Sequence, residues 1–517
     1  MVYIGTRAQE TPNKPAIINA NTGVAVTYGQ LDLESMRVAR LLHARGLRRG
    51  DRIAIYMENH LSYMAVIWAA LRSGLCAVPV NRYFNAQEVA YVVNDCSAKA
   101  IFTTLAQAEV VSSLSDSIPN CQIRLIADGG LRGWEGYEAT IERYDASRLD
   151  VEAMGTIMSY TSGTTGRPKG VLRPLPDMDA TEAWAGWSET GGLYNFDAET
   201  VYLSPAPLYH GAPMRFCRAV HMAGGTVVMM EKFDAETALQ LIARYRVTHS
   251  QWVPTMFARM LKLDASVRNL YDLSSHHVAV HAAAPCPIDV KRQMIAWWGP
   301  IVHEYYGGTD SAGITAISCE EWLQHPGSVG RADPARVKVC LEDGTEAAIG
   351  QAGTVYLVGK SGSLPEYLND PEKTRAARHP EHDDWVTGGD VGIVREDGYL
   401  YLTDRKAFTI ISGGVNIYPQ VIEDALIEHP LVGDAAVFGV PNEEMGEEVK
   451  AVIELADGIM PSAAVADELI AYCKSRVARY MVPRSVEFVE KLPRSAAGKL
   501  MKKELRDRYW VGRSLVA

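Results

Sequence analysis

A twelve-residue stretch of small and hydroxyl-bearing residues is the strongest chemical feature of the sequence. From Tyr160 to Val171 it runs Tyr-Thr-Ser-Gly-Thr-Thr-Gly-Arg-Pro-Lys-Gly-Val, with four Ser/Thr hydroxyls, three glycines and one lysine, Lys169. Because few bulky side chains stand in the way, backbone N–H groups and hydroxyls can point at phosphate oxygens, and Lys169 supplies positive charge. The stretch is therefore a candidate phosphate-binding loop.

This loop differs from the P-loop of nucleoside triphosphatases. Counting from Gly163, a P-loop has glycine before its lysine and Ser or Thr after it, whereas this chain has Pro168 and Gly170 there. Proline is also poorly tolerated inside the helix that a P-loop requires. A plain surface loop is the alternative, since Gly, Ser and Thr are common loop residues. The complete twelve-residue string resembles the phosphate-binding signature of the adenylate-forming superfamily, and this resemblance favours the phosphate-binding interpretation.

Seven further motifs carry residues that could bind a nucleotide or act on it. Alone, each has an ordinary explanation: loop aspartates mostly cap turns, buried histidines are mostly structural, and lysines mostly lie at the surface. These ordinary explanations become less convincing when all seven motifs occur on one chain. In chain order the motifs are Pro207–Gly211, Ala282–Pro285, Tyr306–Asp310, Trp385–Gly392, Thr403–Lys406, Ser412–Pro419 and Leu492–Lys499.

With the loop, these motifs resemble those of the adenylate-forming superfamily, which includes acyl-CoA synthetases, luciferases and nonribosomal peptide adenylation domains. The resemblance extends over about residues 10–510. It implies that Mg²⁺ and ATP activate a carboxylic acid to an acyl-adenylate, with release of pyrophosphate. It also implies that the acyl group then passes to coenzyme A (CoA), giving acyl-CoA and AMP.

The resemblance assigns a role to each candidate residue. It implies that Lys499, Thr309 and Asp310 are catalytic and that Asp310 and Thr164 hold Mg²⁺. The residues implied to bind ATP or CoA are Thr161, Ser162, Gly163, Thr164, Thr165, Gly166 and Lys169 (phosphates), Ala282, Ala283, Ala284, Tyr306 and Gly307 (adenine), Asp390 and Arg405 (ribose), and Ser412, Gly413 and Gly414 (the pantetheine arm of CoA).

The implied chemistry explains why these residue types are needed. In the first step an anionic carboxylate attacks the α-phosphorus of polyanionic ATP, so catalysis requires cations and oriented donors rather than a protein nucleophile. In the second step a thiol attacks the acyl carbon, and Lys499 must leave to open a channel. A lysine on a small domain beyond a hinge meets both needs.

Three positions depart from the family pattern. Asp310 replaces a glutamate and should still bind Mg²⁺ directly or through water. Gly388 replaces a threonine, which removes a hydroxyl near the phosphates. Ala407 occupies the hinge position, commonly Asp or Lys, and Phe408 follows where Asp is frequent. The usual polar control of the hinge is therefore not expected here.

The resemblance places the acyl pocket at His210, Trp252, Met256, Gly308 and Gly313. Small residues are expected to leave space there and Trp252 and Met256 to form an apolar wall, with no obvious cation for a second carboxylate. This favours a medium- or long-chain fatty acid over an aryl or hydroxycinnamoyl acid, or a steroid or bile-acid side chain. A ligase that loads a carrier protein or stops at the adenylate, and a non-catalytic ligand-binding homologue, are the remaining alternatives.

Alternating strand and helix patterns must position these motifs. They predict an α/β multidomain protein with an α/β layered core, a small antiparallel sheet or β-barrel from about Gly327, and a compact α+β unit after a boundary near Asp404–Ala407. The resemblance implies a large N-terminal domain, residues 1–406, of two packed α/β layered sheets plus the small β-barrel, and a small mobile C-terminal domain, residues 407–517. The predicted helices are Leu31–Arg45, Met64–Leu71, Ala235–Tyr245, Val421–Glu428 and Ala463–Arg479. The predicted strands are Arg52–Met57, Ala77–Val80, Ala100–Thr104, Thr226–Met230, Val278–Ala282, Val337–Leu341, Gly353–Val358, Ala435–Val440, Val449–Leu455 and Val486–Val489.

Composition limits the function classes. The net charge of −11 argues against general nucleic-acid binding. The eight cysteines form no C-x-x-C pair, which argues against a zinc cluster and indicates a reducing compartment. The first 14 residues lack the apolar core of a signal peptide, and the apolar stretch Met64–Val80 is broken by Arg72 and Gly74. A cytoplasmic protein without an integral membrane segment is expected, and a homodimer is compatible with the sequence.

Overall fold

The computed structural model describes residues 3–150, 152–161, 168–175, 192–360, 362–405, 408–412, 415–442, 445–494 and 500–510. The chain divides into two compact units. The first comprises residues 1–252, 262–280 and 361–376, and the second comprises residues 253–261, 281–360 and 377–517.

The first unit contains two parallel sheets and a small hairpin sheet. Its strands are β1 Pro15–Asn19, β2 Ala25–Thr27, β3 Arg52–Tyr56, β4 Cys76–Pro79, β5 Ala100–Thr104, β6 Ile123–Ala127, β7 Glu135–Gly136, β8 Thr156–Ile157, β9 Ser159–Thr161, β10 Lys169–Leu172, β11 Val201–Ser204, β12 Thr226–Met229, β13 His249–Trp252, β14 Val278–His281 and β20 Glu366–Tyr367. One parallel sheet has the order β7-β6-β5-β3-β4-β8. The other has the order β14-β13-β11-β12-β1-β2, with β2 antiparallel at its edge. The hairpin sheet has the order β20-β10-β9.

Helices cover the strands of the first unit. They are Ile4–Glu10, Tyr28–Ala44, Tyr63–Arg72, Ala86–Asp95, Ala108–Val111, Tyr137–Ile141, Gly211–Ala223, Ala235–Tyr245, Ala265–Arg268 and Pro371–Ala376. Local sequence explains several helix starts, since side chains at Thr27, Asn85 and Asp234 accept the backbone N–H three residues on. The indole of Trp68 donates to His221 Nδ1 at 3.2 Å, which joins a helix of one sheet to a helix of the other. The two layered sheets are therefore packed together, as predicted.

The apolar stretch Met64–Val80 is a buried helix followed by strand β4. Arg72 is fully buried in it and forms ion pairs of 2.9 Å with Asp32 and with Glu152. These two carboxylates allow a guanidinium to lie inside an otherwise apolar layer. Within the described residues, the structure contains no helix that is long and apolar enough to span a bilayer.

The second unit begins with the antiparallel pair β15 Val302–Tyr306 and β16 Thr315–Ile317. An antiparallel sheet follows, formed by β17 Gly330–Arg331, β18 Val337–Cys340, β19 Ala352–Val358, β21 Trp385–Val386, β22 Asp390–Val394 and β23 Tyr399–Arg405. Its order is β17-β23-β22-β19-β18, with β21 beside β19. Because β17 and β18 lie at opposite ends of this order, the described strands form an open sheet, and the predicted barrel is not confirmed.

The last part of the second unit is an α+β layer. Strands β24 Ile410–Ser412, β25 Val415–Ile417, β26 Val432–Asn442, β27 Gly446–Leu455 and β28 Ser485–Val489 form one sheet, in which only β28 is parallel to its neighbour. The helices of the second unit are Pro254–Leu261, Ile288–Trp298, Cys319–Gln324, Pro419–Ile427, Ala463–Arg476 and Lys502–Asp507. The predicted elements are confirmed to within three residues at each end, and Ala100–Thr104 and Ala235–Tyr245 have the predicted bounds.

Candidate functional site

The stem of the glycine-rich loop is an antiparallel hairpin. Lys169 of β10 pairs with Thr161 of β9, and Gly170 pairs with Tyr160. The tip between these strands, with the candidates Ser162, Gly163, Thr164, Thr165 and Gly166, lies outside the described residues. So do Gly413, Gly414, Ala407 and Lys499. Their roles stay predictions.

The Lys169 side chain forms an ion pair that the sequence analysis missed. Its Nζ lies 2.9 Å from Asp370 Oδ2. Hydrogen bonding to Asp370 raises the pKa of Lys169, and the same contact lowers the pKa of Asp370. The only sequence signal for Asp370 is Asn-Asp-Pro before a short helix, which predicts a capping aspartate but not its distant partner.

Tyr306 and Asp390 are brought together from strands β15 and β22. The Tyr306 hydroxyl donates to Asp390 Oδ2 at 2.8 Å. Asp390 is also the register partner of Arg405 in the pair β22–β23. Two residues predicted to contact adenosine, Tyr306 and Asp390, therefore meet, although 84 residues separate them in the sequence.

Asp310 lies beside the same cluster. A Cβ placed on Gly388 would lie 3.7 Å from Asp390 Oδ2 and 3.8 Å from Asp310 Oδ1. Gly388, which stands where the family has threonine, thus faces both carboxylates. Thr309 precedes Asp310 in this loop and is half-buried.

The glycines after Tyr306 serve close packing. A Cβ on Gly307 would lie 2.7 Å from Ile314 Cγ2 and 2.9 Å from the Gly313 carbonyl oxygen. A Cβ on Gly308 would lie 2.7 Å from Asp310 Oδ1. A side chain at Gly307 or Gly308 would therefore meet atoms of the same loop.

The turn Ala282–Ala284 follows strand β14. Ala282 is buried, whereas Ala283 is exposed and has a φ of +76°. Non-glycine residues rarely adopt this left-handed conformation, and such strain is often found at functional sites. The turn is therefore held by its surroundings in a shape that its sequence does not favour.

A buried charged cluster lies next to this turn in the sequence. Glu304, two residues before Tyr306, lies 2.7 Å from Lys291 Nζ and 3.3 Å from His281 Nε2. Burial alone would raise the pKa of Glu304, but His281 and Lys291 lower it to about 2. Burial lowers the pKa of His281, and the Lys291 ammonium lies 4.6 Å from the Trp322 ring centroid. The cluster was not predicted, although an acid within an apolar strand implies a buried partner.

The acyl-pocket candidates fall in both units. In the first unit, His210 immediately precedes the helix Gly211–Ala223, and its ring lies 4.2 Å from that of Tyr209. Trp252 is fully buried at the end of β13, and its Nε1 donates to Ser250 Oγ at 2.5 Å. In the second unit, Met256 is buried in the helix Pro254–Leu261 and Gly313 lies in the loop after Tyr306.

The donor set at Asp310 suits Mg²⁺ supplied with a nucleotide. Within the described ranges, no group of three or more His, Cys, Asp and Glu residues could hold a metal ion by itself. Mg²⁺ is commonly bound by one or two carboxylates together with substrate phosphates and water. A single carboxylate at Asp310 fits that arrangement.

Comparisons with known proteins show the family of the chain. A family model described as AMP-binding enzyme matches residues 4–368, and one described as AMP-binding enzyme C-terminal domain matches residues 421–499. The chain is 32% identical to the long-chain-fatty-acid–CoA ligase FadD13 of Mycobacterium tuberculosis, over 97% of each protein. It is 32% identical to a feruloyl-CoA synthase of Amycolatopsis sp., again over 97% of each. The solved structure of the ATP-bound RpMatB-BxBclM chimera B1 superposes with a TM-score of 0.83 and 26% identity, covering 98% of this chain and 99% of that one.

Proposed function

The chain belongs to the AMP-binding enzyme family, and from that membership we propose that it is an AMP-forming acyl-CoA ligase acting on a hydrophobic carboxylic acid. The observation that carries the proposal is the grouping of Tyr306, Asp390 and Asp310: Tyr306 donates to Asp390, and Gly388 faces the carboxylates of Asp390 and Asp310. An aromatic ring, a carboxylate for the ribose hydroxyls and a carboxylate for a hard cation meet at one place. This is the set that a Mg²⁺-bound adenine nucleotide requires.

In the first half-reaction the substrate carboxylate attacks the α-phosphorus of ATP. A new P–O bond forms, the bond to the β-phosphate breaks, and pyrophosphate leaves with the electron pair. The barrier is chiefly charge repulsion and misalignment. The Thr161–Lys169 stretch holds the β- and γ-phosphates, and Lys499 stabilises charge at the α-phosphate and the carboxylate.

Asp310 and the hydroxyl of Thr164 would hold Mg²⁺, which would neutralise phosphate charge. Tyr306 stacks on adenine, and its hydrogen bond keeps the carboxylate of Asp390 oriented toward the ribose. Thr309 donates to the α-phosphate, and the Ala282–Ala284 turn lines the base.

In the second half-reaction the CoA thiol attacks the acyl carbon. A C–S bond forms, the bond to the phosphate oxygen breaks, AMP leaves, and the thiol proton is released. We assign residues 1–406 to an adenylation domain and residues 407–517 to a mobile domain that carries Lys499. The end of one family match at residue 368 and the start of the other at residue 421 support a boundary in this interval. The Ser412–Gly414 segment then receives the pantetheine arm.

A medium- or long-chain fatty acid is the proposed substrate class. The similarity to a long-chain-fatty-acid–CoA ligase supports this class. An aryl acid is the second candidate, supported by the equal identity to a feruloyl-CoA synthase.

The proposal includes a cytoplasmic location and a homodimer. Eight unpaired cysteines, seven of them buried, support a reducing compartment. Light scattering tests the dimer, which should have a mass near twice the 56.7 kDa of the chain.

A pyrophosphate-release screen with fatty, aryl and steroidal acids tests the function. We expect release with ATP and Mg²⁺ in the absence of CoA, strongest for fatty acids of medium or long chain. If pyrophosphate release is strongest with hydroxycinnamic acids, the proposed substrate class would be aryl acids instead. No release with any acid would contradict the proposed activity.

A further inference from the structure

The stem of the glycine-rich loop is anchored on both of its strands. The Tyr160 hydroxyl of β9 donates to Asp95 Oδ2 at 2.6 Å. On the β10 side, the Tyr91 hydroxyl donates to the Pro168 carbonyl oxygen at 3.2 Å. Tyr91 and Asp95 both belong to the helix Ala86–Asp95, so one helix holds both strands.

A second segment, distant in sequence, packs along β10. Strand β20 pairs with β10, and the Leu368 N–H donates to the Gly170 carbonyl oxygen at 2.8 Å. A Cβ on Gly170 would lie 3.1 Å from the Tyr160 ring and 3.3 Å from Leu368 Cβ. Only glycine permits this close approach without displacement, and the approach brings the residues after Leu368 to the side chain of Lys169.

Asp370 is itself held firmly. Its Oδ1 accepts the Lys373 N–H at 3.0 Å, and its N–H donates to the Tyr367 carbonyl oxygen at 3.2 Å. The preceding Asn369 donates to the Asp95 carbonyl oxygen at 3.1 Å. The Asp370 carboxylate that pairs with Lys169 therefore belongs to a turn that is held by hydrogen bonds.

We propose that Asp370 is a positioning residue for ATP binding: by pairing with Lys169 at 2.9 Å, it holds that ammonium at the base of the loop so that its charge serves the phosphates. The inference rests on the proposed function for the role of the loop. Asp370 acts through Lys169 and does not itself touch the nucleotide, since a carboxylate would repel phosphate.

The test is a double-mutant cycle on Mg·ATP binding, measured by calorimetry without acid or CoA. The variants are Asp370→Asn, Lys169→Met and their combination. Asparagine keeps an oxygen for the Lys373 N–H and removes only the charge. Asp234→Asn is the matched control, because Asp234 caps a helix in the same unit by accepting the Thr237 N–H at 2.9 Å and has no lysine partner among the ion pairs of the described residues.

We expect Asp370→Asn to raise the Kd of Mg·ATP roughly three- to fivefold, the upper part of the range for a partly exposed ion pair. Lys169→Met should raise it at least as much, and the double variant no further than Lys169→Met alone. Asp370→Glu keeps the negative charge, so it should bind Mg·ATP with an affinity close to that of the wild type. In turnover assays Asp370→Asn should raise the KM for ATP more than it lowers kcat, and Asp234→Asn should change neither.

Three results would overturn the proposal. Asp370→Asn could leave the Kd unchanged or lower it, Lys169→Met could have no effect, or the two single effects could add in the double variant. The cycle needs no acid substrate. If the wild type binds Mg·ATP and shows the predicted coupling but activates no acid, the proposed function fails while this inference stands.

Discussion

The hydroxyl of Tyr306 donates a 2.8 Å hydrogen bond to Asp390 Oδ2, although 84 residues separate the two in sequence. The bond joins the end of strand β15 to the start of strand β22. It links the proposed adenine contact to the proposed ribose contact, so the orientation of one depends on the other.

Replacing Tyr306 with phenylalanine keeps the ring and removes this bond. We expect the KM for ATP to rise about tenfold, because one hydrogen bond to a charged group is lost from the binding site. Asp390→Ala should raise it further, since it removes the carboxylate itself. Steady-state kinetics with ATP as the varied substrate measure both effects.

Tyr401→Phe is the matched control. The Tyr401 hydroxyl donates to Asp397 Oδ2 at 3.0 Å within the same unit, so the variant removes a tyrosine–aspartate bond outside the proposed site. A KM shift equal to that of Tyr306→Phe would contradict a specific role for the pair Tyr306–Asp390.

Asp310→Asn should weaken the use of Mg²⁺. The amide carries no charge, so we expect about tenfold more Mg²⁺ for half-maximal pyrophosphate release. Asp310→Glu restores the carboxylate and the residue that the family pattern has here, and it should retain activity. Titration of Mg²⁺ at constant ATP measures the concentration needed for half-maximal release. If that concentration is the same for Asp310→Asn and wild type, Asp310 does not bind the metal.

Local sequence was sufficient to predict a helix or strand where the spacing of its apolar residues agrees with the burial of the element. The helix Ala235–Tyr245 has an apolar face and the capping residue Asp234, and strand β5 is a short apolar run buried along its length. Both were predicted with their bounds. The antiparallel strands after Gly327 were also predicted, but whether such a sheet closes depends on pairing between its two edge strands, which local pattern does not contain.

Contacts between distant residues could not be predicted. Lys169 and Asp370 are 201 positions apart, and their pairing depends on the close approach of Leu368 to Gly170. The cluster of His281, Lys291 and Glu304 requires three elements to pack together. In both cases the sequence shows the residue types, but the contacts between them depend on the tertiary fold.

Lys499→Ala should impair the chemical step much more than it impairs nucleotide binding. If Lys499 stabilises charge that develops at the α-phosphate, its loss should slow pyrophosphate release by about 10²–10³ and change the Kd of Mg·ATP little. The exposed Lys491 offers a control, and Lys491→Ala should keep the wild-type rate. Equal losses in rate and affinity for Lys499→Ala would instead indicate a ground-state binding role.

Buried His221 should make the fold sensitive to acid. Burial lowers the pKa of His221 to about 4, from an ordinary value of 6.5. Below pH 6.5 the unfolded chain binds a proton that the folded chain does not, so stability is complete above that pH and is lost as the pH falls toward 4. Between pH 8 and pH 5 this one group should lower the free energy of unfolding by about 2 kcal/mol.

Denaturant unfolding of His221→Asn at both pH values checks this contribution. The variant should be less stable at pH 8, because His221 accepts from Trp68 and also contacts the Ala16 carbonyl oxygen, but its stability should fall less on acidification. His43→Asn, at an exposed position, should show the wild-type pH dependence. Identical pH dependence in His221→Asn and wild type would contradict the assignment.

Product stoichiometry tests the central claim most directly. Purified protein is incubated with Mg·ATP, CoA and the best acid of the screen, and AMP, pyrophosphate and acyl-CoA are quantified by chromatography. The account predicts the three products in equal amounts, with AMP release dependent on both acid and CoA. ADP in place of AMP, or pyrophosphate without any acyl-CoA, would contradict it.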